Sequence, residues 1–386
     1  PTTPARLGVY MLIDRYITRA MLHAFVIVFV SLAGLYLVFD AFTNMEEFLA
    51  HAAEGGGLAR VLAVYYGCRI LWFFDATSPV VSMAAAMFAL SWLERHNELT
   101  ALLAAGVTRW RIARPVLVVA AVVSLLALVN REACLPQIRG AFSRNAQDLR
   151  GDRRQPFEAR YDHATEILYR GRSTQIATSR IEAPSLLMPP QLGDYGTQLV
   201  AAEAFWRPAD ADHPAGWLLC GVTEPADIDR LQPLVAGERT VACTRATAPW
   251  LEPRQCFVAS DVTFEQMIGS TNWSQYSSTP ELVRAIRNPS LGLGGDVPLR
   301  VHSRFVAPLL DLTLVLLGVP LVLGPSRRGV FIAVGLCVGT TVIFFLVVMA
   351  AQGLAMQDIC SPSMGAWFPL LVLAPLAAWR AQPMWQ

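Results

Sequence analysis

The chain has 386 residues, of which 54% are hydrophobic and only 16% charged, and its formal net charge is +1. Soluble domains carry about 25% charged residues, so this composition indicates a membrane protein. The near-zero net charge gives no sign of nucleic-acid binding. All 31 basic residues are Arg, so the Lys that a P-loop ATPase requires is missing.

Six apolar runs are long enough to cross a bilayer, which takes about 20 residues of helix. The first three predicted spans cover residues 20–39, 72–92 and 112–129, and the second has an interfacial extension that begins near residue 61. The last three cover residues 305–323, 330–351 and 364–380. The first run lacks a cleavage site after a short apolar core, so we interpret it as a retained anchor and not as a signal peptide.

Arginine placement predicts the orientation of these spans. Arg residues cluster before span one, between spans two and three, between spans four and five, and after span six. The opposite short loops, residues 40–60 and 353–363, contain a single Arg between them. By the positive-inside rule, both termini are then cytoplasmic and residues 132–300 lie outside the cytoplasm.

The polar region at residues 132–300 contains short alternating runs bounded by Pro, Gly and Asp, a pattern typical of a β-sandwich, jelly roll or partial barrel. A short helix follows, with Thr279 predicted as its N-cap. We therefore expect an α+β membrane protein with six transmembrane helices arranged three plus three. Residues 1–131 hold the first three, residues 132–300 form an inserted jelly-roll-like domain, and residues 301–386 hold the last three.

His, Cys, Asp and Glu show no catalytic or metal-binding spacing, so the sequence predicts no catalytic residue, metal site or cofactor. Cys220, Cys243 and Cys256 all fall in the polar region. The sequence leaves two interpretations of these cysteines open: a disulfide if that region is exported, or isolated buried thiols.

The stretch from Leu93 to Pro115 interrupts the apolar runs between spans two and three. A short helix is predicted near residues 97–105, with Asn97 as N-cap, Glu98 in the first turn and Gly106 as a left-handed stop. Leu99, Leu102 and Leu103 form an apolar stripe on it. One interpretation is an interfacial turn in which Glu98 serves only the helix dipole. The other is a coupling helix that inserts into a partner ATPase.

Three polar residues inside the predicted spans are costly in hydrocarbon, namely His23, Asp75 and Asp311. His23 is interpreted as interfacial. Asp75 and Asp311 are predicted to lie toward the outer side of the membrane. For Asp311 two alternatives remain: a pair with Arg304 two helical turns earlier, or a place in the wall of a lipid cavity.

Four stretches of the sequence resemble the LptF/LptG permease family. They are "LIDRYITRAML", "NELTALLAAGVTRWRIARPVL", "SSTPELVRAIRN" and "VHSRFVAPLLDLTLVLLGVPLVLGPSRRG". The order of three spans, a β domain and three spans also matches. The "DRYI" segment is slightly closer to LptG. LptG-like chains, however, carry Lys near the outer end of span one, where this chain has Asp40, Glu46 and Glu47.

The resemblance implies a permease subunit of an ABC-type exporter in the cell inner membrane that extracts lipopolysaccharide or a related glycolipid. It implies an LptB-like ATPase dimer, a paralogous permease subunit or a second copy, and an LptC-like periplasmic protein as partners. It also implies that Asn97, Glu98, Leu99, Leu102 and Gly106 couple to the ATPase. The implied lateral gate for lipid contains Leu32 and Leu35 of span one with Phe331 and Val338 of span five.

Three rival hypotheses fit the sequence less well. A mechanotransmission permease of the FtsX or MacB kind normally has four spans, with the large domain directly after the first. A secondary transporter would be expected to show inverted repeats with broken helices. A membrane-anchored structural or sensor protein would not require a coupling helix.

Overall fold

The computed structural model describes residues 4–53, 57–142, 154–190, 195–210, 213–236, 239–268, 271–291, 293–324 and 330–384. For residues 4–11, 53, 140–142, 236, 239, 268, 271–272, 330–331 and 333 it describes the backbone alone. The chain divides into two compact units. The membrane unit comprises Pro1–Ile138 and Gly295–Gln386, and the β unit comprises Arg139–Gly294.

The described residues of the membrane unit are mostly helical, and three short helices between residues 264 and 286 belong to the β unit. The helices are α1 (Pro4–Thr43), α2 (Met45–Ala53), α3 (Leu58–Arg95), α4 (Glu98–Ala104), α5 (Arg109–Val129), α6 (Leu135–Phe142), α7 (Phe264–Ile268), α8 (Thr271–Tyr276), α9 (Thr279–Ile286), α10 (Asp296–Leu323), α11 (Val330–Met356) and α12 (Pro362–Ala381). A π-helical turn, Asn130–Cys134, joins α5 to α6.

Six helical segments of the described chain are long and apolar enough to cross a membrane, which confirms the predicted six-helix organisation. They are Leu12–Thr43, Leu58–Arg95, Arg109–Arg139, Asp296–Leu323, Val334–Met356 and Pro362–Met384. The long second run forms one uninterrupted helix, so the extension predicted before span two is part of α3. Its 38 residues, at about 1.5 Å each, exceed the hydrocarbon thickness, and the surplus must extend beyond it.

The six spans differ in how much protein surrounds them. In the most apolar windows of α3, α5 and α10, half or slightly more of the residues are buried, whereas the figures are 11% for α1 and 17% for α11. The helices α3, α5 and α10 therefore form the centre of the membrane unit. Large apolar side chains of α1 and α11 remain exposed, and in a bilayer they face lipid or another membrane protein.

The β unit contains one antiparallel sheet of eleven strands. The strands are β1 (Gln155–Pro156), β2 (Arg160–Asp162), β3 (Ile167–Arg170), β4 (Ser173–Gln175), β5 (Arg180–Glu182), β6 (Ser185–Leu187), β7 (Gln198–Arg207), β8 (Gly216–Glu224), β9 (Leu234–Ala236), β10 (Arg239–Thr244) and β11 (Gln255–Ala259). The main path runs β1-β4-β5-β7-β8-β11-β10-β9, while β2, β3 and β6 pair in series onto β7.

The β unit has its own apolar core, built around the long β7–β8 hairpin. Trp217, Tyr169 and Tyr195 are almost completely buried in it. Side chains alternate between this core and the opposite face of the sheet, as the period of two in the sequence predicted. The jelly-roll-like β domain inserted between the third and fourth spans is thus confirmed.

The N-terminus of α9 differs by one residue from the prediction. Ser278 occupies the N-cap position, and its backbone N–H donates to Glu281 Oε2 at 2.9 Å. Thr279, predicted as the N-cap, is the first helical residue. The shift arises because the capping box needs its acid three residues after the cap, and Glu281 meets that spacing only with Ser278.

The three cysteines of the β unit carry no disulfide, and all seven cysteines of the chain are free. Strand β11 lies between β8 and β10 and so separates Cys220 from Cys243. Cys256 belongs to the main core, whereas the other two pack against a small cluster around Phe257. Burial raises the pKa of all three thiols above the usual value. The structure thus has three free thiols here, of which Cys256 is buried and Cys220 and Cys243 are partly buried.

Helix packing in the membrane unit predicts that replacing two glycines with alanine destabilises the protein to different extents. A methyl group at Gly365 would meet the Cβ of Ala355 and, at 3.0 Å, the carbonyl oxygen of Ala351, neither of which can rotate away. A methyl group at Gly318 would meet only the flexible end of Met83. We expect Gly365→Ala to destabilise the protein by about 1–3 kcal/mol through overpacking, and Gly318→Ala to cost less. Thermal unfolding in mild detergent tests this ranking, and equal melting temperatures for the two variants would contradict it.

Candidate functional site

The connection between α3 and α5 is a seven-residue helix, α4, held between two left-handed residues. Asn97 has φ 59° and Gly106 has φ +81°. The left-handed stop predicted at Gly106 is confirmed. Asn97 occupies the N-cap position, as predicted, but its side chain makes no capping hydrogen bond. The reason is its backbone: a capping side chain needs an extended conformation, whereas Asn97 adopts the left-handed one that Asn tolerates.

The apolar stripe of α4 faces the protein. Leu99 is only 7% exposed, and Leu102 and Leu103 pack against the core of the membrane unit. The opposite face, which is exposed, consists of small residues: Thr100, Ala101, Ala104 and Ala105. The stripe therefore packs against neighbouring helices of the membrane unit, and the small-residue face is the one left exposed.

Two polar contacts tie α1 to the ends of this connection. The Tyr16 hydroxyl donates to Glu98 Oε2 at 2.8 Å, and Arg111 Nη2 donates to Asp14 Oδ2 at 2.7 Å. Thr108 caps α5 and accepts from the Arg111 backbone N–H, as expected. We call the contacts of Asp14, Tyr16, Glu98 and Arg111 the α1–α4 junction.

Sequence reasoning missed Asp14 and Tyr16 as functional candidates. Their signal was present: two polar side chains stand two residues apart just before the first long apolar run. Their hydrogen-bond partners could not be predicted, because Tyr16 and Glu98 are 82 positions apart in the sequence and Asp14 and Arg111 are 97 apart. Glu98 is therefore already hydrogen-bonded within this chain, while it remains partly exposed.

A second group of charges surrounds the π-helical turn. Arg131 Nε donates to both carboxylate oxygens of Asp75, at 3.0 and 3.1 Å, and Arg304 Nη1 donates to Glu132 Oε1 at 3.3 Å. Asn130 Nδ2 also donates to the carbonyl oxygen of Leu71 at 2.9 Å. These bonds connect α3 and α10 to the turn. We call Asp75, Arg131, Glu132 and Arg304 the four-residue charge network.

Asp311 does not pair with Arg304, so that alternative is wrong. Its Oδ2 accepts a 2.6 Å hydrogen bond from the Ser124 hydroxyl of α5. The two side chains line a small crevice together with Ser78, Ser82 and apolar neighbours from α3, α5 and α10. Arg304 reaches Glu132 instead because the turn after α5 brings that carboxylate to α10.

The predicted gate residues lie on exposed faces where the structure describes them. Leu32 and Leu35 of α1 are 40% and 56% exposed, and Val338 of α11 is 56% exposed. The Phe331 side chain lies outside the described residues.

His23 is also exposed on α1. In addition, Arg69 of α3 stacks on Tyr65 and donates to the Tyr36 hydroxyl of α1 at 3.3 Å.

No group of three or more His, Cys, Asp or Glu side chains within the described residues is placed to hold a metal ion.

The sequence model of the family described as "Lipopolysaccharide export system permease LptF/LptG" matches residues 15–171 and 251–382. Together these stretches cover well over half of the chain, including most of every membrane-spanning helix. The unmatched stretch between them lies within the β unit. No curated protein gives a significant match to the chain.

The four-residue charge network predicts a specific pattern of stability. Arg304 is only 6% exposed, and Arg304→Met removes the cation that donates to Glu132 Oε1. Because the Glu132 side chain is 28% exposed, the loss should be about 3 kcal/mol, at the low end for a broken buried pair. Adding Glu132→Gln removes the carboxylate charge as well and should restore part of the loss. Melting temperatures in detergent measure both variants, with Arg60→Met at an exposed position as the control. A double variant no more stable than Arg304→Met would contradict the pairing.

Proposed function

Because the chain belongs to the LptF/LptG family of lipopolysaccharide export permeases, we propose that it forms one half of an ABC-type exporter that lifts lipopolysaccharide or a related glycolipid out of the inner membrane. ATP is hydrolysed by a separate LptB-like ATPase dimer. The second permease subunit is a paralogue or another copy of this chain. The β unit passes the lipid to an LptC-like protein of the periplasmic bridge.

The proposed orientation places both termini and α4 in the cytoplasm and the β unit in the periplasm. The Arg residues in the first half of α1, along residues 95–114 and in the last turn of α12 support it, because basic residues favour the cytoplasmic side. With this orientation, the exposed face of α4 meets the side of the membrane where an ATPase works.

The observation that carries the proposal is the construction of α4. Its Leu side chains are held in the membrane unit, and its small-residue face is free of bulky side chains. A seven-residue helix is unstable alone, so its position depends on these contacts. Since the α1–α4 junction also fastens it to α1, a displacement of α4 is passed to α1, α3 and α5 together.

Lipid enters, in this proposal, between α1 of one subunit and α11 of the other. These two spans have the least protein around them in the described chain, which leaves apolar surface for lipid and for the second subunit. The FtsX- or MacB-like alternative is not favoured, because the β unit follows the third span and not the first.

We predict that the charge of Glu98 contributes to ATPase binding. Glu98→Gln keeps an acceptor for Tyr16 and removes the charge, whereas Tyr16→Phe removes the hydrogen bond and keeps the charge. Charge-assisted hydrogen bonds contribute about 1.5–3 kcal/mol, so Glu98→Gln should weaken ATPase association roughly 10- to 100-fold. Glu98→Arg should be worse because it adds like-charge repulsion. Co-purification of the ATPase and its hydrolysis rate in the complex are the measurements.

Tyr16→Phe is the matched control for that experiment, and it should retain most of the association. An equal loss in Tyr16→Phe and Glu98→Gln would show that Glu98 acts through α1 and not through the ATPase. Wild-type binding by Glu98→Arg would remove the coupling assignment altogether.

We also predict that a photo-crosslinking residue at Leu35 or Val338 traps the exported lipid. Leu371 of α12 is the matched control, because it is 68% exposed and equally able to touch bulk lipid. Mass spectrometry of the adducts should find lipopolysaccharide at the first two positions and ordinary phospholipid at the third. Equal trapping of lipopolysaccharide at all three positions would refute the gate.

A further inference from the structure

A crevice in the middle of the helix bundle combines one carboxyl group with three hydroxyl groups. Asp311 of α10, Ser124 of α5, and Ser78 and Ser82 of α3 line it. We call these four residues the serine crevice. The three serines are 1–5% exposed, and Asp311 stands near the midpoint of a 28-residue spanning helix. The group therefore lies at a depth where hydrocarbon, and not water, surrounds the bundle.

Hydrogen bonding in the serine crevice is incomplete. The Ser124 hydroxyl donates to Asp311 Oδ2 at 2.6 Å. The Ser78 hydroxyl oxygen is buried and has no hydrogen-bond partner among the described residues. Among the described residues, Ser124 therefore donates the one hydrogen bond that Asp311 receives. A single donor does not replace the hydration that a carboxylate loses on burial.

The nearby charged groups do not neutralise Asp311. Asp75 and Arg131, from α3 and the π-helical turn, are the charged residues that act on it electrostatically, and they are paired with each other. Arg304 of the same helix is paired with Glu132. Helix α11 carries no charged residue, and the only one of α12 is Arg380 in its last turn. An ionised Asp311 would thus be an uncompensated charge inside the membrane, which is strongly unfavourable.

We propose that the serine crevice is a proton-binding site and that Asp311 is its proton acceptor. A proton from the solvent adds to one carboxylate oxygen, and the resulting neutral acid both donates and accepts hydrogen bonds. It can keep the bond from Ser124 and needs no countercharge inside the bundle. A metal cation is a poorer occupant, because it needs several oxygen ligands and space for itself.

Proton binding at this position favours the packed arrangement of α3, α5 and α10. Pro79 stands next to Ser78 in α3, and Pro308 lies one turn before Asp311 in α10. Each proline removes a helix hydrogen bond, so both helices can bend where the crevice lies. Loss of the proton would require the carboxylate to reach water, which means that these helices must separate. This proposal depends on the position of Asp311 within the membrane-spanning bundle and not on the identity of the transported lipid.

Infrared spectroscopy of the full chain in lipid bilayers tests the proposal directly. A protonated carboxylic acid has a carbonyl stretch well separated from the carboxylate bands. At neutral pH we expect a protonated-acid band in the wild type that Asp311→Asn removes and that Asp75→Asn retains. Raising the pH should abolish the band. With increasing pH, the thermal stability of the wild type should also fall more steeply than that of Asp311→Asn.

Ser124→Ala provides a second test if Asp311→Asn folds poorly, because it keeps the carboxyl group and removes only its hydrogen-bond donor. The band should then persist and shift to higher frequency. A wild-type spectrum identical to that of Asp311→Asn, or a band that Ser124→Ala leaves unmoved, would overturn the proposal. Because no partner or lipid substrate is needed, the result is independent of the export function.

Discussion

Inside a membrane, a polar side chain on one helix must find its partner on another, since hydrocarbon offers no hydrogen bonds. In this protein the requirement is met at three depths of the bundle. At one end of the spans, the α1–α4 junction binds α1 to α4 and α5. In the middle, the serine crevice joins α3, α5 and α10. Toward the other end, the four-residue charge network joins α3 and α10 to the turn after α5.

Each of the three groups includes a residue of α3, α5 or α10, so together they link α4 to the central helices of the membrane unit. Hydrogen bonds fix the relative rotation and height of neighbouring helices more strictly than apolar contacts, which tolerate sliding. If α4 moves, either the bonded helices move as a group or specific polar bonds break. In our proposal, loss of the Asp311 proton belongs to the second case, because it requires α3, α5 and α10 to separate.

The sequence predicted the parts of the molecule that depend on local composition. Apolar runs and alternating strands led to six spans and an inserted β domain, and Gly106 and Asn97 correctly marked the two ends of α4. The sequence did not predict which side chains pair. A spacing of two helical turns made Arg304 one of two alternatives for Asp311, but Arg304 pairs with Glu132 across the fold. Asp14 and Tyr16 went unnoticed because their partners lie far away in the sequence. The missing side-chain bond of Asn97 could not be foreseen, because Asn suits both a capping side chain and a left-handed turn.

The distribution of polar bonds also explains why α1 and α11 are the spans suited to a lipid pathway. The charge network and the serine crevice take their side chains from α3, α5, α10 and the turn after α5, so these helices have little freedom to separate. Helix α1 is bonded near its ends, to α4 and α5 through the junction and to α3 through Tyr36 and Asp40. Between them its middle packs through apolar and aromatic side chains, including Phe25 and Phe29. A lipid chain can replace such contacts at small cost, whereas it cannot replace a hydrogen bond. The proposed lipid pathway along the apolar middle of α1 would therefore leave intact the bonds that hold the centre of the membrane unit.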